Sequence, residues 1–397
     1  MRLKLLLPPV RPDVYDEPTA CPYKGCKGTH FHLRQEWQKP VRDTLLTQVV
    51  AHRHECLRCR RTFRVYPTGV SKVPTSARLR GLSVLLYVLG LSYGGVSLAL
   101  EALGHPLSKT AVYNAVQAAG EKVPGLRREA VCLPTGKAKV AAMGADLTSV
   151  LCKGKWLSVG VTVDVQEGIV LTVDIVDNAE AQTLKEWVQQ VAEAVEAEVL
   201  VSDDADGFKK AADDNGMQQQ VCKSHVKRNT EAWVEKMKPQ LVKDADGSLG
   251  AIEVKPEQAV ADCEELLRLI RERQPGAEAE AMLETIHRRY MAAAPPKRNG
   301  EEKMEVSLAY RMRLFSLDRW NLWGRLTLYR TWRDEDGGFL DGTNNATERA
   351  IGWWVKERYR TMRGYKREQS VLNVSRLIAW AGGQLNTGGA DLVLHHR

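Results

Sequence analysis

Lys139-Val140-Ala141-Ala142-Met143-Gly144-Ala145-Asp146-Leu147-Thr148-Ser149-Val150-Leu151 is the stretch on which the fold turns. The chain before it reads as helix, and here the hydrophobic period drops to two. A lone aspartate in a strand is usually a solvated edge residue. Asp146 instead follows five nearly apolar residues, Ala141 to Ala145, where an unpaired charge would be costly.

Downstream, Val140–Leu151, Lys155–Val165 and Gly168–Val176 read as three consecutive strands with short turns between them. An amphipathic helix over 181–197 follows, with Leu184, Val188, Val191 and Val195 on one stripe. A fourth strand, 198–202, ends in Asp203-Asp204; a helix near 208–215, a fifth strand over 218–222 and a helix from Ser224 complete the run. The order βββαβαβα is the skeleton of a ribonuclease H-like mixed sheet. In that skeleton the first and fourth strands are neighbours, so Asp146 and an aspartate at the fourth strand's tip face one cavity, as hard divalent cations require. From about 226 to 341 no strand pattern returns: helices over 258–273, 277–291 and 306–328 read as an insertion. A last helix opens after Asp341-Gly342-Thr343-Asn344-Asn345, with Thr343 or an Asn as its cap. Glu348 shares a face with Ile351 and Val355, so packing those two on the sheet aims Glu348 into the aspartate cavity.

Upstream, Cys21 and Cys26 form one knuckle and Cys56 and Cys59 another, around two ribbon strands within 36–54. Four thiolates suit one structural Zn²⁺, with His30, His32, His52 and His54 as possible substitutes. Arg60 and Arg61, beside Phe63, suit phosphate contact. Three helices follow: 77–89, a second capped by Ser92, and a third capped by Ser108. The third buries Val112, Val116 and Ala119 and turns Lys109, Thr110, Tyr113, Asn114 and Gln117 outward, as a helix-turn-helix recognition helix does. The uncharged run 81–100 has the length of a membrane span, but Gly90, Ser92, Gly94 and Gly95 break it into two helices.

The charge pattern agrees with these readings. Residues 1–130 hold 20 Lys/Arg against 9 Asp/Glu, 131–296 hold 19 against 28, and 297–397 hold 18 against 12. Two basic ends around an acidic middle point to a polyanion. The paired cysteines fit a metal site in a reducing compartment and exclude a disulfide scaffold.

Gly144-Ala145-Asp146-Leu147-Thr148, Val201-Ser202-Asp203 and Asn344-Asn345-Ala346-Thr347-Glu348-Arg349, in that order, resemble bacterial insertion-sequence transposases of the DDE type. Cys222-Lys223-Ser224-His225 is similar to the Cys-x-x-His signature of their mutator-like branch. The resemblance implies a multidomain α/β chain: a zinc ribbon (1–73), a helix-turn-helix unit (74–130), a ribonuclease H-like core (131–240 and 341–385) and a helical insertion (241–340). It implies cleavage of element ends and their joining to target DNA, with Asp146, Asp203 and Glu348 holding two Mg²⁺, or Mn²⁺ in their place. Asp203 is preferred to Asp204 because Gly207 follows at the family's spacing. Cys222 and His225 would support the site. Lys109, Thr110, Asn114 and Gln117 would read terminal inverted repeats of double-stranded DNA. Arg60, Arg61, Arg349, Lys356, Arg358, Arg363 and Lys366 would hold its backbone. A dimer or larger assembly on DNA in the cytoplasm, near the nucleoid and away from membranes, is expected. A DNA-binding regulator or domesticated transposase without catalysis is the alternative reading, and a structure-specific nuclease of the same fold a third.

Overall fold

In the computed structural model, residues 7–123, 139–176, 180–296, 306–360 and 364–386 are described. Strand β1 (Arg11–Tyr15) pairs with the two-residue β5 (Pro67–Thr68). Between them β2 (Phe31–Pro40), β3 (Gln48–Cys56) and β4 (Thr62–Val65) form an antiparallel sheet in the order β2-β3-β4. β2 is largely exposed and the apolar burial in β3 is small, Val49, Ala51 and Cys56, so the cysteines must contribute to holding the segment.

Helices α1 (Ala77–Val88), α2 (Tyr93–Ala102) and α3 (Lys109–Lys122) start at Ser76, Ser92 and Ser108. Each serine hydroxyl accepts the backbone N–H three residues on, satisfying one of the donors a helix start leaves open. Among the described residues no helix is long and apolar enough to cross a membrane.

The main sheet holds β6 (Ala142–Cys152), β7 (Lys155–Asp164), β8 (Ile169–Ile175), β9 (Val199–Ser202) and β10 (Gln218–Val221). Its order is β10-β9-β6-β7-β8: β6, β7 and β8 are antiparallel neighbours, while β9 and β10 run parallel to β6. The first and fourth strands of this mixed sheet are thus adjacent, as the sequence predicts. Helix α4 (Ala181–Val195) covers one face with Leu184, Trp187, Val188, Val191 and Val195 against Met143 and Ala145. Helix α5 (Asp206–Asp214) lies between β9 and β10.

Helix α6 (Lys223–Val242) leaves the sheet and enters a bundle with α7 (Pro256–Arg271), α8 (Ala279–Arg289) and α9 (Leu308–Thr327). The bundle has its own core, in which Trp233 stacks on Phe315 at 3.7 Å. Chain then returns as α10 (Asn345–Ala350), a π-helical turn over Ile351–Lys356, the short α11 (Glu357–Arg360) and α12 (Glu368–Asn386).

The second face of the sheet is where the termini of the fold meet. Val159, Val161, Val163 and Val173 share one core with Ile351, Val355, Val374 and Leu377 and with Val84, Val96, Val112 and Val116 of α1–α3. Helices α1 and α3 pack on α12, and α12 packs on β8, so the N-terminal helices join the core on the sheet's second face through α12. Two buried devices fix this docking. Arg376 of α12 pairs with Asp174 of β8 at 2.9 Å, and Trp187 donates to the same carboxylate. At Gly120 an added Cβ would stand 2.2 Å from the carbonyl oxygen of Asn373, so only glycine lets α3 and α12 approach this closely.

Candidate functional site

Asp146 lies on β6 with Gly144 on the face turned toward α10. Successive strand residues alternate sides, and Met143 and Ala145 occupy the α4 side. Asp203 follows the last residue of β9, next to β6. The Asp146 carboxyl is pushed up to about 6, first by burial and then by the charges of Asp203 and Glu348, with His225 opposing. These four side chains share one electrostatic environment. Asp204 turns elsewhere: it pairs with Lys209 at 2.9 Å and lies 3.9 Å from buried Arg319.

Glu348 sits in the first turn of α10, whose seating on β6 is unusually close. A Cβ at Gly144 would come within 2.2 Å of Thr347 Oγ1 and 3.1 Å of Asn344 Oδ1. Asn344 holds the N-cap position, but its side chain makes no capping bond. Its amide instead donates to the Ala145 carbonyl at 3.1 Å, across to the strand that carries Asp146. The expected Asn cap is thus a cap in place only, because bridging to β6 uses the same side chain. Asn344 Oδ1 and Thr347 Oγ1 are buried with no hydrogen-bond partner, beside the carboxylates. Ile351 and Val355 pack on the sheet as their spacing from Glu348 requires. The helix widens to π geometry over Ile351–Lys356, directly after the acid.

Cys222 and His225 join this site. Cys222 is the N-cap of α6, and its sulfur accepts the Asn344 backbone N–H at 3.3 Å. Glu348 Oε1 stands 3.9 Å from Cys222 Sγ and 3.6 Å from His225 Nδ1. Burial pushes the Cys222 thiol up. Among the described residues only two groups bring three or more ligand atoms within 4.8 Å of one another: Cys21, Cys26, Cys56 and Cys59, and Cys222, His225 and Glu348. Glu348 thus stands within ligand distance of both the cysteine and the histidine.

The four N-terminal sulfurs converge without histidine help, with Cys21–Cys59 and Cys26–Cys56 each at 3.8 Å. Gly28 makes room for them, since a Cβ there would lie 2.5 Å from Cys56 Sγ. The Arg61 backbone N–H and guanidinium bring Cys59 down to about 6, while burial holds Cys21 up at about 12. This group fits one zinc.

Residues 166–363 match the model of the transposase IS66 family. Over that stretch the chain is an insertion-sequence transposase. The matched segment holds Asp203, Cys222, His225 and Glu348 and begins beyond Asp146. Comparison with curated proteins finds no match. Among solved structures the Drosophila P element transposase strand transfer complex is similar at 10% identity and TM-score 0.39, over 77% of this chain and 92% of that one.

In this transposase the expected DNA-contact residues divide into free and engaged groups. Lys109, Thr110 and Asn114 are exposed on α3, and Asn114 borders a groove of about 770 Å³ with Arg42, Lys72 and Arg80. Gln117 is not free, because its amide accepts from Asn373 of α12 at 3.1 Å; Tyr113 likewise meets Ser370 at 3.0 Å. The outward face expected from helix periodicity is thus half covered by α12. Arg358 is also engaged. It is buried over the Tyr87 ring and donates to the carbonyls of Gly90 and Leu91, both at 2.6 Å, so it clamps the α1–α2 turn instead of reaching solvent. Arg60, Arg61, Arg349, Lys356 and Lys366 are exposed, although Arg60 also pairs with Glu55 and Arg61 lies over Tyr23. Arg363 lies outside the described residues. Gly144, Asn344 and Thr347 are the site residues whose roles the sequence reading missed. Their signal was present in the quoted motifs, as a glycine two residues before the aspartate and polar residues just before the glutamate.

Proposed function

We propose that this transposase cleaves the ends of its element and joins them to target DNA, with Asp146, Asp203 and Glu348 as the catalytic carboxylates. The observation that carries this reading is the buried Asp146 carboxyl on β6, aligned with the end of β9 that leads into Asp203 and raised first by burial and then by the charges of Asp203 and Glu348. Such a site is strained until positive charge enters it, and carboxylate oxygens are the donors hard cations prefer. Two Mg²⁺ bound there would activate the attacking hydroxyl and stabilise the leaving oxygen. Asp146 is held by the sheet, and its Oδ1 accepts the Leu147 N–H at 2.7 Å. Asp203 is fixed by accepting the Ala205 N–H at 3.1 Å. Glu348 rides on α10, which Asn344 ties to β6 and Cys222 ties to α6.

The four-cysteine group would hold a structural Zn²⁺, making residues 1–73 a zinc ribbon. Helices α1–α3 would act as a helix-turn-helix unit reading terminal repeats with Lys109, Thr110 and Asn114. Arg60, Arg61, Arg349, Lys356 and Lys366 would contact phosphates. Cutting two ends together calls for a dimer or larger assembly on DNA. The test is strand transfer of pre-cleaved ends in Mg²⁺: Asp203→Asn should abolish it and Asp204→Asn should not. An active Asp203→Asn protein would refute the assignment.

A further inference from the structure

Cys222, His225 and Glu348 are three different donor types that meet from two helices 123 or more residues apart in sequence. The sulfur–oxygen and nitrogen–oxygen separations are 3.9 and 3.6 Å. A tetrahedral zinc shell, with Zn–S near 2.3 Å and Zn–N or Zn–O near 2.0–2.1 Å, sets neighbouring ligand atoms about 3.3–3.6 Å apart. Those two separations need an inward adjustment of a few tenths of an ångström, and the sulfur and the imidazole nitrogen lie within 4.8 Å of each other. His225 Nδ1 is buried and makes no hydrogen bond. The sulfur already accepts the Asn344 N–H at 3.3 Å, which orients it. His225 and Glu348 keep 27% and 36% of their side-chain surface exposed, which leaves room for an entering ion and a water as fourth ligand.

We propose that Cys222, His225 and Glu348 form a second zinc site, and that filling it withdraws Glu348 from Asp146 and Asp203. Binding breaks the Cys222 S–H bond and releases the proton to solvent; three protein ligands displace waters of the hydrated ion, and nothing is oxidised or reduced. Soft Zn²⁺ would prefer the sulfur–nitrogen side of Glu348, and hard Mg²⁺ the aspartate side. The two ions would therefore compete for one carboxylate. The zinc site itself stands on the geometry, whereas its effect on DNA chemistry rests on the catalytic reading above.

The full-length protein, with its four-cysteine site filled by zinc, is titrated with Co²⁺. A thiolate-to-cobalt absorption band should grow and saturate at one added ion per chain. Cys222→Ser should abolish the band, and His225→Ala and Glu348→Gln should each weaken binding by at least about tenfold. Rising Mg²⁺ should weaken Co²⁺ binding in the native protein and not in Glu348→Gln. No band, or a band that survives Cys222→Ser because cobalt has entered the N-terminal cluster, overturns the site. Binding unaffected by Mg²⁺ overturns the competition. A protein that passes these tests but never cleaves DNA refutes the catalytic reading and leaves the zinc site standing.

Discussion

Replacing Asp146 by asparagine should stabilise the metal-free protein. Its buried carboxyl titrates at about 6 against an ordinary 3.8, so the folded state binds that proton more tightly than the unfolded chain does. The stability this proton contributes is complete below about pH 4 and is lost as pH rises through 6. At ~1.4 kcal/mol per pH unit, the displacement corresponds to about 3 kcal/mol of ionisation cost at pH 7.5. Asparagine keeps the shape and can still accept the Leu147 N–H, so it recovers most of that cost. Allowing for partial solvent screening, about 1.5–3 kcal/mol is expected, or a rise of several degrees in Tm. The assay is thermal unfolding of native protein and Asp146→Asn in chelator, at pH 4 and pH 7.5. The two should melt together at pH 4 and diverge at pH 7.5. Millimolar Mg²⁺ should close the gap by stabilising only the native protein, because the amide has lost the charge that binds the ion. An Asp146→Asn protein no more stable than the native one at pH 7.5 without metal would show that no strained carboxylate exists there.

Asp204→Asn should lower stability more than activity, since it weakens the pairing of Lys209 and of buried Arg319; urea unfolding beside a strand-transfer assay separates the two effects. Cys56→Ser should lose about one zinc per chain by metal analysis and loosen the β2–β4 sheet to proteolysis, because the four sulfurs tie the chain ahead of β2 to the end of β3. Gly144→Ala should cost about 1–3 kcal/mol by pressing on Thr347, and should depress cleavage further by shifting α10. Asn114→Ala should weaken binding to terminal-repeat DNA in a gel-shift titration by about 1–3 kcal/mol if it makes a base contact. Gln117→Ala should instead lower thermal stability, since Gln117 serves the α3–α12 contact.

Several features of this protein were legible in the chain because their physical causes are local. Alternation with period two marks β6 to β8, and Ser92 and Ser108 mark helix starts by offering an oxygen to a backbone N–H three residues on. The four cysteines signal their cluster by spacing. The sheet order follows from how few ways a βββαβαβα chain can pack, and that order puts Asp203 beside Asp146. What only the tertiary structure decided depends on partners far away in sequence. Periodicity shows that Gln117 lies opposite Val112 and Val116, but not that Asn373, 256 residues on, occupies that side. A basic run marks Arg358 as a cation, yet the carbonyls that bury it lie 268 and 267 residues earlier. Cys222 and Glu348 are 126 residues apart; the Cys-x-x-His signature suggests support for the site, but not that its sulfur stands 3.9 Å from the glutamate. Side-chain chemistry and spacing set what each residue is able to do. Which neighbour it meets is set by the packing of α10 and α12 onto the sheet, where apolar burial fixes the backbones first and the polar groups take the partners left within reach.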